Sequence, residues 1–229
     1  MTRAISAGVV ALALLACQTV VVSPTPTASP TSSPTASPTA PPTPTARPSP
    51  SLPLGRTLRE ADAQQAVGAA VRELLVALKN RDSTVIARAA HPTQGVRFTM
   101  SSYVRPADDI TLTAAQLANA FADPTLRRWG TTDGRGDPVV LTFAEYTSRY
   151  LYARDFAASS QTAYNRTIGQ GNTTDNTAVI YPDAILFEAF DPGPDPAMRD
   201  TQWQSLRLLF ERELSRWYLV AVVHAHWTI

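Results

Sequence analysis

Residues Ser23 to Pro53 limit what this chain can fold into more than any other stretch. Nearly every residue there is Pro, Ser, Thr or Ala, and Pro recurs at intervals of four residues or fewer. Proline removes a backbone donor and fixes φ, so neither a helix nor a sheet propagates through such a run. It offers almost nothing apolar to bury, which predicts an extended, polyproline-like stalk. At about 3.1 Å per residue the stretch reaches roughly 90 Å. Only the part of the 229-residue chain beyond it is left for a globular fold. That is one domain of ordinary size, large enough to be stable without cross-links.

The residues before the stalk read as an address. Arg3 precedes the apolar run Ala7 to Ala16, which is too short to span a bilayer as a helix and has the layout of a signal peptide. The run ends Leu14-Leu15-Ala16-Cys17, and Cys17 is the single cysteine of the sequence, so no disulfide forms within the chain. The motif resembles the lipobox of bacterial lipoproteins. That resemblance implies cleavage after Ala16 and a thioether-linked lipid on Cys17. Each buried methylene then contributes about 0.8 kcal/mol to membrane attachment. The expected organisation is a signal peptide over 1–16, a lipidated Cys17 with its stalk over 17–55, and a globular domain over 56–229. The first partner expected is a membrane, reached through the lipid, which places the domain outside the cytoplasm.

The formal net charge is +1, and from Arg56 onward 18 basic residues face 19 acidic ones. Binding to phosphate backbones needs a surplus of Lys and Arg on one face, so nucleic acid is not an expected partner.

Within the domain, Val67, Val71, Leu74, Leu75 and Leu78 recur at helical spacing, which predicts a helix over Leu58 to Asn80. Asp82 or Ser83 caps a short second helix that ends before His91-Pro92. Val96 to Met100 alternates as a strand does. Thr113 caps a helix from Ala114 to Phe121, and the Thr142/Glu145 capping box starts another through Tyr152. Gly130, Gly134 and Gly136 mark turns around Asp133. Strands are predicted over Ala178 to Phe190, Trp203 to Glu213 and Trp217 to Ile229, the last two forming a hairpin. Helices first and long paired strands last give an α+β fold, with N-terminal helices packed on a curved antiparallel sheet.

Several stretches together resemble a family of exported domains from Gram-positive and related bacteria. They are His91-Pro92 with Gly95-Val96-Arg97-Phe98, Trp129-Gly130 with Asp133-Gly134, Asn165 with Gly171-Asn172, Tyr181-Pro182, Trp203 with Ser205 to Leu208, and Trp217-Tyr218-Leu219-Val220 through His224 and Trp227-Thr228-Ile229. The family implies no particular activity and supplies no catalytic residues. The opening helix pair and the late sheet are also similar to the NTF2-like cone fold. That fold hosts both enzymes and binding modules, and it allows a homodimer through the sheet face.

Motifs for chemistry are few. His224 and His226 alternate onto one face of a strand, a pair that could begin a metal site if His91 or a carboxylate such as Glu188 supplied a third ligand. No spacing fixes that third ligand, and the apolar neighbours Val222, Val223 and Ala225 favour a core role, so no metal is expected. Asp133 and Asp137 lack the further acidic ligands of a calcium loop. There is no nucleophile elbow, and Gly134 and Gly136 are not followed by the Lys-Ser/Thr of a phosphate loop. No cofactor is expected.

The pocket hypothesis combines His91, Trp129, Asp133 and His224 on a concave sheet, around a small or carbohydrate-like ligand. Trp203 and Trp217 are expected to anchor the core. The expected function is a surface-tethered, non-catalytic binding module for a small-molecule or envelope ligand. The alternative is a small envelope hydrolase in which His91 or His224 acts as base with Asp133. It requires a histidine with one nitrogen oriented and the other facing an open cleft.

Overall fold

The long first helix forms where the apolar stripe predicts it. In the computed structural model, which describes Gly55–Thr228, α1 spans Glu60–Asn80 and buries Val67, Val71, Leu74, Leu75 and Leu78. Cys17, the signal peptide and all of the stalk up to residue 54 lie outside the described residues. The described residues all belong to one unit of the chain, Ser49–Ile229.

Helix α1 stops as Arg81 turns left-handed, with φ at 58°. The Asp82 carboxylate then accepts from the amides of Thr84 and Val85 and starts α2, Ser83–Ala89. Strand β1, Val96–Thr99, and the unpredicted β2, Ile110–Leu112, follow. Next come α3, Ala114–Leu117, the hairpin strands β3, Arg127–Thr131, and β4, Pro138–Leu141, and α4, Phe143–Tyr146. The capping boxes at Thr113/Gln116 and Thr142/Glu145 both form. The helices behind them are shorter than expected. After α4 the chain opens into a π turn over Thr147–Leu151, where Ser148 Oγ bonds back to the carbonyls of Ala144 and Glu145.

The remaining elements are β5, Gln161–Tyr164; α5, Thr177–Ile180; β6, Ile185–Asp191; α6, Arg199–Gln202; β7, Gln204–Glu213; and β8, Arg216–His226. The first residues of the strand expected from Ala178 are the helical turn α5, and β6 starts only at Ile185. The β7–β8 hairpin forms as predicted, with Glu213 opposite Arg216 and Leu214 at φ 56°.

The fold is α+β. Six strands form one sheet in the order β2-β1-β8-β7-β6-β5, and β3 and β4 form a separate hairpin. The sheet is mostly antiparallel, which corrects the wholly antiparallel expectation. β1 runs parallel to β8, with Arg97, Phe98 and Thr99 opposite Ala221, Val222 and Val223. Parallel pairing became possible because β1 and β8 lie far apart in sequence and need no tight turn between them.

Both faces of the sheet are covered. The main core gathers Val67, Val71 and Leu74 of α1 with Phe98, Trp129, Phe143, Tyr146, Leu206, Leu208 and Val222. The opposite face buries Val104, Tyr181, Ala184, Leu209, Ala221 and Val223. This two-sided burial explains why β8 reads as an unbroken apolar run rather than an alternating one. The register also slips once, since Leu209 pairs with Ala221 and Phe210 with Leu219. Val220 is therefore an extra residue, which puts Val220 and Ala221 in the same cluster.

Candidate functional site

The structure takes apart the pocket proposed from sequence. Trp129 is not on a pocket wall. It is 2% exposed, stacks flat on Tyr146 with ring centres 4.0 Å apart, and donates its indole N–H to the Leu141 carbonyl at 2.9 Å. Phe98 and Phe143 close around the same ring. The tryptophan at a turn is thus core, because the β3–β4 hairpin folds its side chain inward against α4.

His91 and His224 sit at different places along β8. The His91 amide bonds to the Leu219 carbonyl, five residues from His224, a separation of roughly 17 Å along a strand. His91 closes a turn. Its Nδ1 accepts the Gln94 amide at 3.2 Å, and its carbonyl accepts the Gly95 amide at 2.9 Å. With Nδ1 accepting the Gln94 amide, the ring proton lies on Nε2, 3.6 Å from a Glu213 carboxylate oxygen. Gly95 holds φ at 70°, and a Cβ there would lie 2.6 Å from the Leu112 carbonyl oxygen.

Asp133 meets His226 instead of His224, with Oδ2 3.3 Å from Nε2. His224 and His226 do share a face, as predicted, and stack with centres 4.9 Å apart. His224 is buried, its Nε2 is 3.4 Å from Gln204 Oε1, and its Nδ1 has no partner among the described residues. Burial, and secondarily the neighbouring His226, push its pKa down to about 3, so it is neutral. The His226–Asp133 pair has the orientation a base needs, but the free Nδ1 of His226 is enclosed. Neither His91, His224 nor His226 therefore meets the geometric requirement of the hydrolase alternative.

Glu188, the other suggested metal ligand, lies on the opposite face of the sheet. It is fully buried with Arg207, directly across on β7. Glu188 accepts the Arg207 Nε at 3.2 Å together with the backbone amides of Ile168 and Gly169. Arg207 also reaches the Gly169 carbonyl at 2.8 Å and Asp175 at 3.0 Å. This network is satisfied by protein groups and fastens the segment between β5 and α5 onto the sheet. Among the described residues, no cluster of three or more His, Cys, Asp and Glu is arranged to hold a metal ion.

That fastened segment forms one wall of a cleft of about 580 Å³, within the ~300–1,000 Å³ range of small-molecule sites. The cleft lies where four strands have their ends, because the register puts Gln161 opposite Phe190, Asp191 opposite Gln204, and Gln204 opposite His226. Trp203 and Phe190 stack on its floor with centres 5.9 Å apart. Trp227 stands half-buried at the rim, and Gln161, Gln170, Arg199 and Asp200 surround it. Gly169 and Gly171 lie flat against Trp203, and a Cβ on either would come within 2.5 or 3.0 Å of the ring.

Trp203 and Trp227 stood out in the sequence as bulky aromatics. Nothing in the sequence assigned Gln161, Gln170, Arg199 and Asp200 to one place, because they come from four separate segments. The Gly169-Gln170-Gly171 spacing was the one available sign of a close backbone approach.

Compared with models of known protein families, with curated proteins and with solved structures, the chain matches none.

Proposed function

We propose that this protein is an envelope lipoprotein whose α+β domain is a non-catalytic binding module, held off the membrane by the stalk. Cys17 carries the lipid, the residues from there up to 54 form the tether, Gly55 already belongs to the domain through its bonds to Asp183 and Asn165, and the ligand occupies the cleft at the end of the sheet. The observation that carries the binding reading is the cleft itself. It combines an aromatic floor with polar side chains, and the three histidines lie outside its lining. The long first helix packed against a six-stranded sheet supports an NTF2-like architecture. In that reading the helix-facing side of the sheet is filled by Trp129, Phe143 and Tyr146, so the ligand site moves to the strand ends.

The anchor is tested by expressing the full chain in a bacterial host. Membrane fractionation and mass spectrometry are expected to find Cys17 acylated at the new N-terminus, and Cys17→Ser is expected to release the protein from membranes. A soluble wild-type chain with an unmodified Cys17 would overturn the anchor. The binding reading is tested by titrating the detergent-solubilised full chain with small fragments, as described below.

A further inference from the structure

Resting on that reading of the cleft, we infer that its ligand is a neutral saccharide. The floor is aromatic and held rigid. Trp203 is 4% exposed, stacked on Phe190, and pinned from the other side by Gly169 and Gly171. The Glu188–Arg207 ion pair fastens the backbone of Ile168 and Gly169, so the wall beside the floor is set before any ligand arrives. Trp227 adds a second indole at the rim.

The polar groups above this floor are uncommitted. The side chains of Gln161, Gln170, Arg199 and Asp200 make no hydrogen bond or ion pair among the described residues, although all four line the same cleft. Two primary amides both donate and accept, the guanidinium donates, and the carboxylate accepts. A ligand that satisfies all of them carries many groups able to do both, which is the property of a polyol. It must also present a C–H surface to the half-buried Trp227 indole, since both faces of Trp203 are already covered.

Other classes fit less well. One Arg and one Asp leave the lining with no net charge, so a phosphorylated or polyanionic ligand finds no surplus of cations. A wholly apolar ligand would strip water from four polar side chains and return no hydrogen bonds. A sugar ring has hydroxyls at its edge and C–H bonds on its faces, and so can pack on the accessible surfaces of Trp227 and Phe190 while its hydroxyls meet the amides, Arg199 and Asp200.

The test uses the full chain, solubilised in detergent and labelled with 5-fluorotryptophan. Its four tryptophans give four fluorine resonances, assigned by single Trp→Phe variants. Chitotetraose, cellotetraose and maltotetraose are the sugar probes, and benzamide and nicotinamide are non-sugar controls. The expected result is a saturable shift of the Trp227 resonance with at least one of the sugars, while Trp129 stays fixed. By calorimetry, Gln170→Ala and Trp227→Ala are each expected to weaken that binding by about tenfold or more. Gln170 is exposed on a loop, so its variant carries the test even if Trp227→Ala unfolds.

If the controls shift Trp227 and no sugar does, the saccharide inference falls and the cleft remains a binding site. If neither class shifts it, the binding reading falls as well. Saturable sugar binding that moves only Trp129 or Trp217, or that is unchanged in Gln170→Ala, also overturns the inference.

Discussion

Replacing Arg207 with Met should destabilise the protein by about 3–5 kcal/mol, since it leaves the Glu188 carboxylate buried without its cation. The size follows from burial. The Arg207 and Glu188 side chains are 1% and 0% exposed, so solvent screens neither. Asp175 is 30% exposed at its side chain, and its share in the loss is correspondingly small. Glu188→Leu should cost a similar amount, by leaving Arg207 buried and orphaning the Ile168 and Gly169 amides at about 1–3 kcal/mol each. The double variant removes both charges but still leaves those two amides and the Gly169 carbonyl unpaired. It should therefore lie near the single variants, well short of their sum, giving a coupling of about 3 kcal/mol or more. Urea unfolding of the full chain, followed by tryptophan fluorescence, measures all four species. Single-variant losses below about 1 kcal/mol, or additive losses, would refute the network's role in holding the cleft wall.

Three further perturbations probe other parts of the structure. His224 in the unfolded chain takes up a proton near pH 6.5, whereas the folded imidazole resists protonation until about pH 3. Its contribution is complete above pH 6.5 and is lost as pH falls, so stability at pH 5 should be about 2 kcal/mol lower than at pH 7. His224→Gln should flatten that slope in urea titrations at the two pH values, and an unchanged slope would count against the assignment. Gly169→Ala forces a Cβ to 2.5 Å from the Trp203 ring and 2.7 Å from Ser205 Oγ. A loss of about 1–3 kcal/mol is expected from urea midpoints, and no loss would show that the loop does not seat on the indole. Trp129→Ala empties the centre of the main core and should cost about 3–5 kcal/mol, visible as a lowered Tm. A Tm within experimental error of wild type would restore Trp129 to a surface role.

What the sequence made legible was local. The α1 stripe, the Asp82 and Thr113 caps, the Thr142/Glu145 capping box and the β7–β8 hairpin all rest on contacts within a few residues, where spacing and side-chain chemistry suffice. β2, β3 and β4 are short and lie among turn residues, so their pairing depends on distant partners that no local pattern reveals. The pocket reading failed for a related reason. His91 and Trp129 are both polar-capable residues near turns, and the sequence cannot tell a turn that projects its side chain into solvent from one that tucks it inward. His91 was claimed by the amide of Gln94, and Trp129 by the carbonyl of Leu141.

The same reasoning explains why the cleft belongs at the strand ends. A sheet covered on both faces has no open face on which to hold a ligand, and here each face has its own apolar cluster. Cover thins where β5, β6, β7 and β8 have their ends together, and there Phe190 and Trp227 stay half-buried beside the buried Trp203. Aromatic side chains at such an edge are enclosed only if a loop is held over them. Arg207 and Glu188 supply that hold from inside the sheet, and Gly169 and Gly171 let the loop lie close. A buried ion pair is a costly way to fix a loop when an apolar pair would pack as well. What it adds is a defined position for the Ile168 and Gly169 amides, and hence for Gln170, the wall residue next in sequence, at the mouth of the cleft.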